Sequence, residues 1–211
     1  MKLKLKTKKI MGIISIVLVV LALSFGAVYA VQGDNLAKLF GKQQADILAN
    51  AGNDIVATID GEKISKKGFE TYKLFINNGD NKLSDKQILE KIIERKAIND
   101  EAIKEGLSAT DEEVASLVNS AQNMKENDER YLAFKEYLGG LSMTEDQYWE
   151  SVKPAYKKFI TCGKFKNSLK EKYAKENDIK DKTELDNNFR DYYNQYVQEL
   201  KGEVKVETDI K

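Results

Sequence analysis

The 211-residue chain is 42% apolar and 32% charged, enough apolar material for a core and too much for a fully disordered chain. Its 34 basic and 34 acidic residues cancel, but five lysines fall within the first nine residues, so the remainder is net acidic by five and a dedicated nucleic-acid binder is disfavoured. With no histidine and one cysteine, Cys162, the chain itself cannot build the common nucleophile–histidine pairs, the common zinc sites or a disulfide framework.

The lysines precede Ile10 to Val31, a run without a charged residue. It meets the length of about 20 apolar residues that a helix needs to cross a bilayer. It is long for a cleavable signal, although Val28-Tyr29-Ala30 would serve as a cleavage site. A retained single-pass anchor is favoured over a cleaved signal, with secretion as the outcome of cleavage. In both cases the basic end stays cytoplasmic and the rest is exported across the plasma membrane. Residues 32–53 carry Leu36, Leu39, Phe40, Ile47 and Leu48 at roughly helical spacing, broken by Gly33 and Gly41. They read as a juxtamembrane helix or a linker.

Residues 54–211 form the exported domain. Ile55 to Ile59 is β-rich, and Asp60-Gly61 ahead of Glu62-Lys63-Ile64 is a strong hairpin signal, because both turn residues tolerate positive φ. Ser65 then caps a helix bearing Phe69, Tyr72, Phe75 and Ile76. Three capping boxes follow, Ser84/Gln87, Thr110/Glu113 and Thr144/Gln147, each opening an apolar stripe at helical period. Gly106 fits a left-handed helix stop, and a short segment from Asp128 to Leu138 is expected to end at Gly139-Gly140. The third box starts a long helix to about Tyr173 that contains Pro154, the sole proline. Residues 175–182 read as a charged loop, and Thr183 as the cap of a last helix ending near Gly202. Val204, Val206, Thr208 and Ile210 then alternate as a strand. A lone strand leaves its backbone groups unsatisfied, so it is expected to pair with the 55–64 segments at the far end of the domain.

Acidic groups do not assemble a metal site in this pattern. Asp111-Glu112-Glu113 occupies a first helical turn, where negative charge favours the helix dipole. Asp178, Asp181 and Asp186 lack calcium-loop spacing. No catalytic residue, metal ligand or cofactor is assigned.

The run Val56-Ala57-Thr58-Ile59-Asp60-Gly61-Glu62-Lys63-Ile64-Ser65 with Phe69 resembles the opening of SurA-like and PrsA-like chaperones: strand, Asn/Asp-Gly turn, then a helix whose apolar face starts four residues after the cap. Ile88 to Lys96 with Glu101-Ala102 and Glu105-Gly106-Leu107 is similar to their next helix, and Thr110 to Val114 to the start of the one after. The resemblance covers roughly residues 54–173. It implies a helical chaperone module, and with the readings above the expected fold class is mainly α: an N-terminal membrane helix, then a helical SurA-N-like domain whose terminal strands join in a small sheet. It also implies an extracytoplasmic holdase for unfolded exported polypeptides. Many members carry a parvulin-type isomerase domain ahead of the last helix and strand. Here Lys170 to Thr183 runs straight into that helix, which leaves no room for a further domain of ordinary size. Isomerase activity is therefore not expected. The alternative function is a binding or regulatory module for one partner at the cell surface.

Aromatic residues crowd the second half. Adjacent pairs such as Tyr148-Trp149 and Tyr192-Tyr193 are not expected to bury every ring, and exposed rings in a helical cradle suit loose binding of apolar segments. The client-binding candidates are Tyr148, Trp149, Tyr156, Phe159, Tyr192, Tyr193 and Tyr196.

Overall fold

A computed structural model describes residues 34–77, 82–123 and 128–210. The expected membrane run, Ile10 to Val31, lies outside them. Among the described residues no helix is long and apolar enough to cross a membrane. Seven helices and three strands are described, and the fold is 75% helical. In chain order they are α1 (Asp34–Asn50), β1 (Ile55–Ile59), β2 (Glu62–Ser65), α2 (Lys66–Ile76), α3 (Asp85–Lys104), α4 (Asp111–Gln122), α5 (Glu129–Leu141), α6 (Glu145–Glu176), α7 (Lys182–Glu203) and β3 (Val206–Thr208).

The sheet closes the domain. Its order is β2-β1-β3 with both pairings antiparallel, and Ala57, Thr58 and Ile59 face Thr208, Glu207 and Val206. The strand expected over Val204 to Ile210 is thus shorter but pairs as anticipated. The contact is reinforced where Asp60 N–H donates to the Lys205 carbonyl (2.9 Å) and the Thr208 hydroxyl to the Val56 carbonyl (2.8 Å). Asp60 and Gly61 take φ of 47° and 78°, the two left-handed positions of a tight hairpin turn.

The helix starts follow the capping chemistry read from the sequence. Ser65 accepts from Gly68 N–H, and all three capping boxes have both arms in place. Gly106, at φ 74°, completes a Schellman stop: Leu107 N–H reaches the Ala102 carbonyl (2.8 Å) and Gly106 N–H that of Ile103 (3.0 Å). The cap of α7 is Asp181 rather than Thr183. The Asp181 carboxylate takes the Glu184 N–H at 2.8 Å, and Thr183 falls inside the first turn.

Two glycines lie inside helices where breaks were expected. Residues 32–53, read as a juxtamembrane helix or linker, contain α1, which packs on the domain itself: Ala37 and Phe40 are core residues. Nor do Gly139 and Gly140 end α5, which continues to Leu141 and stops at Ser142 in the left-handed region (φ 57°). The reason is close backbone approach. A β-carbon on Gly41 would fall inside contact distance of the Tyr137 carbonyl and 2.9 Å from Leu141 N. One on Gly140 would meet the Lys38 carbonyl and sit 2.9 Å from Lys42 N. The residues that looked like breaks are where α1 and α5 touch.

Buried apolar residues form two clusters. The larger joins α1 to α6 and the sheet. The smaller, built on Ile98, Ala102, Phe165, Leu169, Phe189 and Val197, holds α3, α6 and α7 together. In the larger cluster Tyr137 donates its hydroxyl proton to the side-chain carbonyl of Gln44, a residue only 2% exposed. The hydroxyl of buried Tyr156 has no partner among the described residues. The same substitution should therefore act with opposite sign at the two sites. Tyr137→Phe strands the Gln44 carbonyl and should cost about 2 kcal/mol, whereas Tyr156→Phe should be neutral or stabilise by up to about 1 kcal/mol. Urea unfolding of the two variants measures both.

Candidate functional site

The cleft between the two clusters is the concave feature with the richest chemistry. Its volume is about 330 Å³, at the small end of ligand sites, with room for a short peptide segment rather than a folded partner. Helix α3 supplies Ile92, Ile98 and the charged run Glu94 to Asp100; α6 supplies Lys158 to Lys166; α7 contributes Tyr193, and β2 contributes Glu62. The floor is apolar, with Phe159 on it 42% exposed although it is a large aromatic residue. Gly163 leaves the middle of the α6 wall bare. A β-carbon there would meet nothing within 4 Å, so close packing does not require this glycine.

The rim charges are only partly matched. Lys96 bridges Asp100 (2.5 Å) and Glu62 (3.4 Å), Lys158 also reaches Glu62 (3.4 Å), and Glu94 pairs with Lys91 (3.3 Å). Burial pulls Lys96 toward neutrality, but Asp100 and Glu62 outweigh it and its pKa lies above the ordinary lysine value. Arg95 and Lys166 have no carboxylate partner among the described residues. Arg95 lies over the Tyr72 ring (5.8 Å to the centroid) and Lys166 over the Tyr193 ring (4.9 Å).

The titratable groups of the cleft are poor nucleophiles. Burial raises the Cys162 thiol pKa against the opposing fields of Arg95 and Lys158, so the thiol stays protonated. Burial, with Cys162 and Glu94 adding to it, pushes the Tyr193 phenol up to about 12, and burial alone does the same at Tyr156. The ordinary tyrosine value is 10.0, so the folded state holds these protons more tightly than the unfolded chain. Their contribution is intact below pH 10 and is lost as pH climbs toward 12. The urea midpoint should therefore fall across that alkaline window, and Tyr156→Phe should flatten the fall.

Of the seven aromatic candidates, the cleft contains two, Phe159 and Tyr193. Tyr148, Trp149 and Tyr156 are buried in the larger cluster, away from the surface. Tyr148 and Trp149 meet edge-on 5.1 Å apart, and Phe134 lies edge-on to Tyr148 (5.1 Å) and tilted against Trp149 (5.2 Å). Adjacent helix positions diverge by about 100°, and the partners on this part of α6 cover that arc, so both rings turn inward. Tyr192 and Tyr196 pack on the smaller cluster, with Tyr192 stacked on Tyr173 (4.6 Å) and Tyr196 against Phe165 (6.0 Å). The cleft residues that the sequence reading missed are Arg95, Lys166, Ile92, Ile98 and Gly163. Their signal was weak: Arg95 and Lys166 are two basic residues among 34.

The described residues contain no group of three or more metal-ligating side chains. The family model of the SurA-like N-terminal domain matches residues 2–157 of the chain. The chain belongs to that family. It thus carries a chaperone-type, protein-binding module of the SurA N-terminal kind. No curated protein and no solved structure matches the chain. The SurA-like match ends before Lys158, so the α6 and α7 walls of the cleft lie beyond it and the α3 and β2 walls within it. Helices α6 and α7 are joined by residues 177–181 alone.

Proposed function

We propose that the protein is a membrane-tethered, extracytoplasmic holdase that binds unfolded exported polypeptides without covalent chemistry. One observation carries this reading: an open cleft with an apolar floor, bounded on its α3 and β2 sides by the SurA-like module, presents Phe159 and Tyr193 from two long helices that continue past it. Apolar client side chains gain by leaving water for that floor, while the net acidic body keeps the complex soluble. A shallow floor gives weak contacts, so clients leave and fold. The uncharged run from Ile10 to Val31 behind five lysines supports tethering with the basic end inside. The five-residue connection between α6 and α7, too short for an inserted domain, supports a protein with no isomerase activity.

Gly163→Leu tests the reading. The site is helical and open, so the variant should fold at least as stably as the wild type while its side chain fills the cleft. Suppression of aggregation of a reduced, denatured client should drop severalfold. Unchanged suppression would remove the cleft from the mechanism. Crosslinking in intact cells should capture many exported proteins, and a single stoichiometric product would instead favour a dedicated one-partner module.

A further inference from the structure

We propose that the cleft selects client segments in which a large apolar side chain stands next to an aspartate or glutamate. The inference rests on reading the cleft as the polypeptide site and adds what that site discriminates. All three carboxylates of the lining, Glu62, Glu94 and Asp100, already face lysines at 2.5–3.4 Å. Arg95 and Lys166 are left over. Each rests on an aromatic face, which attracts a cation without neutralising it. The cleft therefore presents an apolar floor under an uncompensated positive rim.

An extended chain matches that layout. Successive residues advance about 3.4 Å and point to opposite sides. When an anchor side chain enters the floor beside Phe159, its immediate neighbours face the rim. A carboxylate there meets Arg95 or Lys166, and a lysine there is repelled. With a volume of about 330 Å³ the cleft takes the anchor and its flanks, so the neighbours of the anchor decide the preference rather than distant charges. Because Lys166 is exposed and Arg95 half-buried, the discrimination is electrostatic, moderate and sensitive to salt.

The test uses the full chain in mild detergent and labelled, end-blocked hexapeptides with a central phenylalanine–glutamate, phenylalanine–glutamine or phenylalanine–lysine pair, read by fluorescence anisotropy. The glutamate peptide should bind about tenfold more tightly than the lysine peptide at low salt, with glutamine between them. High salt should compress the ratio. The double variant Arg95→Gln/Lys166→Gln should bring all three peptides within about twofold of one another. Lys166→Gln alone, at an exposed position, should give an intermediate ratio. Equal affinities in the wild type, or a ratio that survives the double variant, would overturn the selectivity. If Gly163→Leu still abolished binding of all three peptides, the cleft would stand as the polypeptide site while the selectivity fell. If Gly163→Leu left all three bound, the cleft reading would fall with it. Displacement by laurate at concentrations where the glutamate peptide fails to bind would assign the cleft to a lipid and overturn the proposal.

Discussion

Replacing Gly140 with alanine should destabilise the domain by about 3 kcal/mol, although alanine is the better helix former. Helix propensity alone favours alanine by about 1 kcal/mol. Against it stands the added methyl, aimed at the Lys38 carbonyl and 2.9 Å from Lys42 N. Neither neighbour is the free end of a flexible side chain, so α1 must back away from α5, and overpacking of this kind costs about 1–3 kcal/mol or more. The retreat also loosens the Phe40 contacts with Phe75 (4.9 Å) and Tyr137 (6.3 Å). Gly139 supplies the control. It is the preceding residue of the same helix, and a β-carbon there meets nothing within 4 Å. Gly139→Ala should stabilise by about 0.5–1 kcal/mol. Urea unfolding of the two variants should bracket the wild type, and a Gly140→Ala protein as stable as wild type would mean that the α1–α5 contact is not tight.

Trp149→Ala and Phe159→Ala should separate stability from binding. Trp149 is 3% exposed and packed against the Phe134 and Tyr148 rings, so truncation opens a large cavity and should cost about 3–5 kcal/mol. Its ring N–H lacks a hydrogen-bond partner among the described residues, so no polar contact is lost with it. Any loss of chaperone action in Trp149→Ala should then follow the unfolded fraction and disappear under conditions where the variant is folded. Phe159 is 42% exposed on the cleft floor, and its truncation should cost about 1 kcal/mol or less in stability. Client affinity should nevertheless fall severalfold in fully folded Phe159→Ala. The reverse pattern, with binding lost in folded Trp149→Ala and kept in Phe159→Ala, would place the client elsewhere.

Local chemistry was legible in the sequence and surface shape was not. Ser84/Gln87, Thr110/Glu113 and Thr144/Gln147 announce their helices because a capping box is complete within four residues. Asp60-Gly61 announces its hairpin for the same reason. The β1–β3 pairing could be inferred because an isolated strand must find a partner and the chain offered few. Gly41 and Gly140 misled because a glycine that breaks a helix and a glycine that admits another helix look identical until the partner is known. The aromatic positions misled for a related reason. Whether Trp149 or Phe159 is buried depends on which helix covers that arc of α6, and α5 covers the first while the second opens on the cleft. Arg95 and Lys166 gain meaning only after every other charge of the rim has been paired off in space.

The pairing of β1 with β3 also sets an order of events. Val56 and Thr208 are 152 positions apart, so one edge of β1 stays open until nearly all the intervening polypeptide has been made. At ordinary synthesis rates that delay is on the order of ten seconds. The helical hairpins between them close over short separations and can form first, leaving the long-range strand as the final step. During the interval a nascent copy exposes an edge able to pair with a neighbouring chain.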